Sequence, residues 1–399
     1  MRKWVEKEGR KWVRDELISE DQYEQIVNRY KKEQTSNLLP VFASILIGLG
    51  ILSFIASNWD GIHDLVRVFI IIIVMSGFYL AGERAHRNGN ERIGNSLLGI
   101  GIISFGAGIF LLGQMYHFQS YDARAFIIWA LAGLLVVQLW KSKFLLIVTM
   151  AIITVGQLYT MFQFSAFSYI LALLLFFGVG HFVYHRPHTI ISVLFSFSYS
   201  LTALFLVISE EWNYHVLFIF FLALYVMSEW LKKDQIKRPI QLFMQISAIL
   251  VSIFTIFTFD SFLQYEGINT NGLTVYPFIL VILFGLFYWL KKKSLDVTDL
   301  LLYLPVFYVG VMVDVLYMLL LFIYSISLLV IGYREELTEK ATFGTMLFLL
   351  SAFIGYIQLA WDFMPKSIFF LLGGIILFIL SWLLEKRRRQ LVKGVKRHD

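Results

Sequence analysis

Two short polar runs and one isolated carboxylate are the places in this chain where reactive side chains gather. The first run reads Asn58-Trp59-Asp60-Gly61 and continues through His63, Asp64 and Arg67. The second reads Gly113-Gln114-Met115-Tyr116-His117 and continues to Asp122 and Arg124. On a helix Arg67 shares a face with the two carboxylates before it, and the two runs are expected on the same side of a membrane. Together they would form an outward-facing polar pocket of carboxylates, guanidinium groups, imidazole and amide. The same residue types also suit an interfacial belt, with Trp, Tyr and His at headgroup level and carboxylates capping helix N-termini. Spacing alone leaves both readings open.

Asp314 stands inside the apolar stretch Leu300 to Tyr333, which is too long for one crossing. Splitting it at Asp314 leaves a first helix of about 15 residues, interrupted by Pro305 and Gly310. Short, interrupted helices line transport sites in membrane proteins. A carboxylate there could carry a proton or hold a cation; the alternative is an N-cap at a tight outer turn.

Other candidates carry less. His181 and His185 share a helical face with His188 close by, but no carboxylate or cysteine stands near them, so a snorkelling cluster is expected and no metal site. Ser192, Ser196 and Ser200, and likewise Gln241 and Gln245, are spaced for interhelical hydrogen bonds. The chain has no H-E-x-x-H, Walker A or G-x-S-x-G motif and no convincing intramembrane protease pair. No nucleophile, base and oxyanion donor can be assembled, so the expectation is a protein that is not an enzyme and has no cofactor.

The elements that must position these residues follow from composition. Of 399 residues 58% are hydrophobic and 16% charged, with 38 Phe, 20 Tyr and 10 Trp, and the mean hydropathy is +0.71. No ordinary soluble domain has that balance, so the bilayer is the solvent. The absence of cysteine excludes disulfides and thiolate chemistry. The net charge of +6 would suggest an acidic partner in a soluble protein, but here the positives sit between apolar runs, and no nucleic acid partner is expected.

Parsed at about 20 residues per span, the runs give an all-α polytopic bundle of about 14 transmembrane helices. Lys and Arg recur in alternate connections: the N-terminal tail, Arg84 to Arg92, Lys141 and Lys143, Arg186, Lys232 to Arg238, Lys291 to Lys293, Arg334 to Lys340, and Lys386 to Arg397. The loops around Asp60, Phe164, Glu211, Glu266 and Asp314 carry none, while Arg124 and Lys366 are single exceptions. By the positive-inside rule both termini are expected in the cytoplasm. Residues 1–37 read as a cytoplasmic amphipathic helical tail, 38–385 as the bundle and 386–399 as a basic cytoplasmic tail.

Within the tail, Trp4 and Val5 are echoed by Trp12 and Val13, and Tyr23, Ile26, Val27 and Tyr30 fall on one helical face. Ser19 with Gln22 reads as a capping box. Such helices lie on the inner leaflet, or form a hairpin that docks a cytoplasmic partner or a second copy through residues 1–35. Over 94–113, Gly94, Gly101 and Gly108 form one stripe and Gly99, Gly106 and Gly113 another, spacing that suits close helix packing rather than a phosphate loop.

The order of charged tail, LISEDQ, apolar helix, NWDGI, glycine-rich helix and GQMYH resembles a widespread family of predicted bacterial membrane proteins with a domain of unknown function. The resemblance covers about residues 1–150. It implies a multi-pass protein of the inner (cytoplasmic) membrane and brings no catalytic residues with it.

Two functional expectations follow. One is transport or flipping of an amphiphilic or lipid-linked envelope molecule, since few buried charges suit an amphiphile better than an inorganic ion. The other is a scaffold or envelope sensor that binds a partner through its N-terminal helices. Membrane lipids surround the protein in either case.

Overall fold

The computed structural model describes residues 8–10, 12–31, 42–43, 46–47, 49–50, 53, 63–117, 122–265, 275–290, 296–309, 312–360 and 366–395. The chain divides into two units, Met1–Phe118 and Gln119–Asp399.

In the first unit α1 (Glu20–Lys31) begins at the expected capping box. The Ser19 N–H donates to Gln22 Oε1 at 3.0 Å and the Gln22 N–H to Ser19 Oγ at 3.2 Å, satisfying two orphan donors, while Glu20 and Asp21 face the positive end of the helix. The helical turn before it packs closely: a Cβ on Gly9 would lie 2.8 Å from the Tyr23 ring. The described part of the tail therefore doubles back as a helical hairpin.

Helices α2 (Asp64–Arg87) and α3 (Glu91–Met115) form an antiparallel pair turned at Gly89, whose φ of +80° favours glycine. The Gly94, Gly101, Gly108 stripe faces α2. A Cβ at Gly101 would come within 3.1 Å of the Tyr79 ring and one at Gly108 within 2.9 Å of Ile71, while Gly94 meets His86. Seven residues span two turns, so the stripe stays on one face and lets the backbones approach. Gly99 and Gly106 are buried as well.

The second unit holds α4 (Arg124–Trp140), α5 (Lys143–Phe164), α6 (Tyr169–His185), α7 (Thr189–Ser209), α8 (Leu217–Ser228), α9 (Asp234–Tyr265), α10 (Tyr276–Leu290), α11 (Val313–Arg334), α12 (Thr338–Ala360) and α13 (Lys366–Val395). A 3₁₀ turn at Tyr214–Val216 enters α8, and two more 3₁₀ segments, Asp296–Tyr303 and Val306–Val309, precede α11. Helix α11 packs on α12 and α9, while α9 also packs on α7 and α8. The Gln157 side chain of α5 fixes the start of α6, donating to the Ser168 carbonyl at 2.8 Å and accepting its N–H at 3.2 Å. Residues Leu174–Val179 of α6 form a π-helical turn, a local widening that often marks functional positions. The expected serine stripe bonds across helices at two of its three positions: Ser192 reaches the Gln235 carbonyl at 3.4 Å and Ser200 meets Ser247 at 3.3 Å, whereas Ser196 bonds the Ser192 carbonyl of its own helix.

The count of about 14 spans is overturned. Among the described residues seven helices are long and apolar enough to cross a membrane: α2, α3, α5, α7, the Asp234–Thr258 part of α9, α11, and the Thr338–Gln358 part of α12. The other apolar helices have 10–17 described residues. At 1.5 Å per residue even 17 residues reach only about 25 Å, short of a hydrocarbon core of about 30 Å. Hydropathy treats each apolar run as a span, yet here several runs fold as short or interrupted helices packed against longer ones. Over residues 298–309 one such run folds as 3₁₀ segments around Pro305, which removes a backbone donor.

Candidate functional site

The residues grouped from sequence as one outer cluster fall in both units. Asp64 opens α2, and its carboxylate lies 3.6 Å from Arg67 Nη1 one turn on. The N-cap of that helix is His63, whose Nδ1 accepts the Leu65 N–H at 3.4 Å. Because α2 and α3 are antiparallel, Gln114, Tyr116 and His117 at the end of α3 lie at the same end of the pair as Asp64 and Arg67. Trp59 and Asp60 lie outside the described residues.

In the second unit Asp122 accepts the Arg124 N–H at 2.9 Å, and its other oxygen lies 2.7 Å from Arg124 Nε. That pairing holds the first turn of α4 in the manner of a cap. Asp314 sits in the first turn of α11, half-buried, accepting from Gln358 Nε2 at 3.3 Å. The N-cap itself is Met312, in a left-handed conformation with φ 52°. The His181 and His185 rings are 4.2 Å apart, and no group of three or more ligand side chains that could hold a metal occurs among the described residues.

Sequence reasoning passed over one buried carboxylate of this unit. Asp299, in the 3₁₀ segment before Pro305, is 8% exposed. The Tyr225 hydroxyl of α8 donates to its Oδ2 at 2.5 Å and the Tyr324 hydroxyl of α11 to its Oδ1 at 3.2 Å. Tyr303, from the same segment, stacks obliquely on Tyr225 with ring centroids 6.2 Å apart. Its hydroxyl is buried and has no hydrogen-bond partner. Donors on both oxygens stabilise a carboxylate that burial would otherwise penalise. An acidic residue inside an apolar stretch is the signal that could have found Asp299, but its partners are remote in sequence.

A second buried polar group stands at the opposite end of α8. His215, 3% exposed, is sandwiched between Tyr214 and Phe307, with ring centroids at 4.2 and 4.0 Å. Asn213 Oδ1 accepts from the His215 backbone N–H and, at 2.7 Å, from Nδ1–H, so Nε2 is the acceptor nitrogen of the neutral ring. That Nε2 is buried without a partner, as are the Tyr276 and Tyr317 hydroxyls nearby. His215 precedes α8 and lies outside the seven long helices; burial pushes its imidazole down to about 3.

The far end of α8 carries a third polar group. Glu229, 5% exposed at its side chain, meets Lys237 Nζ at 2.6 Å and accepts from Gln241 Nε2 at 2.6 Å. Beside it lies a cavity of about 190 Å³ lined by Phe176, Val183, Phe195, Leu224 and Met227, with Gly180, Tyr184, Ser228, Leu231, Ile236 and Ile240 completing the wall. Phe176 belongs to the π-helical turn of α6. Helix α8 thus forms a partition, with Leu224 and Met227 on the cavity and Tyr225 on Asp299.

Comparison with curated proteins and with solved structures gives no match. Over residues 10–146, the stretch that carries LISEDQ, NWDGI and GQMYH, the chain matches the family described as Predicted membrane protein (DUF2157), and the chain is a multi-pass integral membrane protein, consistent with the cytoplasmic membrane.

Proposed function

We propose that this protein moves an amphiphilic molecule between the leaflets, using the cavity between α6, α7, α8 and α9 as the seat for its hydrocarbon part. The cavity's lining carries the reading. Nearly every side chain around its roughly 190 Å³ is apolar. An apolar lining of this kind gains by being covered with hydrocarbon rather than water. Between Leu231 and Ile236 of its wall run Lys232 and Lys233, both exposed, with Arg238 exposed just beyond. Exposed cations beside an apolar seat suit a lipid with an anionic headgroup. The π-helical turn supplies a segment of α6 whose hydrogen bonds can rearrange as the seat opens.

The test is a leaflet-exchange assay with full-length protein in vesicles that contain a fluorescently tagged anionic phospholipid. Bleaching by an impermeant reductant should exceed the outer-leaflet fraction. Gly180→Leu, which projects into the cavity from a position where a first side-chain carbon meets nothing closer than 3.7 Å, should abolish the excess. Bleaching limited to the outer leaflet in the unsubstituted protein would sink the reading.

The alternative of a scaffold or sensor draws on the tail hairpin closed by Gly9 against Tyr23, a shape suited to docking. Deleting residues 1–31 would remove that docking and leave leaflet exchange intact.

A further inference from the structure

We propose that Asp299 is a proton-binding carboxylate, held by Tyr225 and Tyr324 when ionised and by Tyr303 when protonated. Three observations carry this. The carboxyl group is buried in the second unit, where an ionised group is costly unless it has donors. Two phenols from separate helices provide those donors, one on each oxygen. The third phenol, 1% exposed, keeps a hydroxyl with no partner, stands four residues along the same segment, and its ring lies 6.2 Å from that of Tyr225, which bonds Asp299.

A buried hydroxyl without a partner is uncommon and calls for an explanation. An ionised carboxylate can only accept; Tyr225 and Tyr324 donate one bond to each oxygen, while the Tyr303 hydroxyl stands beyond hydrogen-bond distance and must move to meet the group. A protonated one gains an O–H donor that needs an acceptor, and the phenolic oxygen of Tyr303 has lone pairs to offer. The step is a simple proton transfer: a proton arrives from water, bonds to one carboxylate oxygen, and leaves by the same bond breaking. A metal ion fits less well, because both oxygens already accept from phenols and phenols are poor ligands beside carboxylates and carbonyls.

The elements packed against this segment carry further titratable groups, with Asp314, Tyr317, Tyr333 and Arg334 on α11 besides those that follow. Helix α8 presents Tyr225 and ends at Glu229, which Lys237 of α9 holds; Asp234 and Arg238 flank Lys237 in the first turns of α9, and α11 presents Tyr324. Lys291–Lys293, just before the segment, lie outside the described residues.

Protonation would weaken one phenol's bond and so loosen α8 from α11, and α8 is also a wall of the apolar cavity. A proton could in this way drive the amphiphile; that coupling rests on the proposed function, whereas proton binding itself does not.

The experiment is a pH titration of the full-length protein in lipid by difference infrared spectroscopy, reading the carbonyl stretch of protonated carboxylic acid over roughly pH 4 to 9. The unsubstituted protein should show a titrating band that Asp299→Asn lacks. Tyr225→Phe and Tyr303→Phe keep the carboxyl and serve if Asp299→Asn does not fold. Losing Tyr225, a donor to the charged form, should raise the midpoint by about one pH unit, and losing Tyr303, the acceptor for the neutral form, should lower it by a similar amount. A merely structural role would not move the two in opposite directions. No titrating band, an unchanged band in Asp299→Asn, or parallel shifts in the tyrosine variants would overturn the proposal. Absence of leaflet exchange in the unsubstituted protein, with these shifts intact, would fault the amphiphile reading alone.

Discussion

The Tyr225 hydroxyl lies 2.5 Å from Asp299 Oδ2 although the two residues are 74 positions apart in sequence. Helix α8 and the 3₁₀ segment before α11 meet through this bond, and the Tyr324 hydroxyl of α11 closes the group from the other side at 3.2 Å. A buried bond to a charged group is worth about 1.5–3 kcal/mol. Tyr225→Phe should therefore lower stability in detergent by about that amount, measured by thermal unfolding, and Tyr324→Phe, with the longer bond, should cost less.

The Glu229–Lys237 pair is expected to be asymmetric. Lys237→Met removes the countercharge of a carboxylate that is 5% exposed and keeps the Gln241 bond, so the loss should approach but not exceed the roughly 3–5 kcal/mol of breaking a buried pair from one side. Glu229→Gln with Lys237→Met removes both charges and should recover most of that loss. A double-mutant cycle on thermal stability checks this; equal losses in the single and double variants would refute it.

Helix packing gives a matched pair of glycine tests. A Cβ at Gly332 of α11 would come within 2.5 Å of the Ala341 backbone nitrogen of α12, an atom that cannot rotate away. Gly332→Ala should destabilise the hairpin by about 1–3 kcal/mol. At Gly285 of α10 nothing lies within 4 Å, so Gly285→Ala should be neutral or slightly stabilising.

His215 predicts an acid-sensitive step. Burial holds its folded-state value near 3, below the ordinary 6.5, so between those values the unfolded chain binds more protons than the native one. The stability this group contributes is full above about pH 6.5 and is lost as pH falls towards 3, about 1.4 kcal/mol for each unit of the window. Thermal unfolding midpoints should fall over this range. His215→Phe, which keeps a ring between Tyr214 and Phe307, should flatten the fall.

Because the chain has no cysteine, single cysteines report access directly. Ser196→Cys, at a position with 0% exposure in α7, should resist impermeant thiol reagents, and Asp122→Cys, where the side chain is 44% exposed, should react. Rapid labelling at Ser196 would place water where the described packing leaves none.

The sequence by itself determined the membrane class, the helical fold, the Ser19–Gln22 capping box and the use of the Gly94, Gly101, Gly108 stripe. These depend on local composition and on contacts a few residues apart, where hydropathy and period are sufficient evidence. The number of long helices was decided only by tertiary structure, since an apolar run buried against its neighbours reads like one that spans lipid. So was the site. Asp314 drew attention because it splits an apolar stretch, yet its carboxylate is half-buried and bonded to Gln358, while Asp299 is enclosed by tyrosines from two other helices. Periodicity along one helix carries no information about which phenol from another helix will reach a given oxygen. Only the packing of α8 and α11 around the 3₁₀ segment sets that distance, and with it the charge the core can hold.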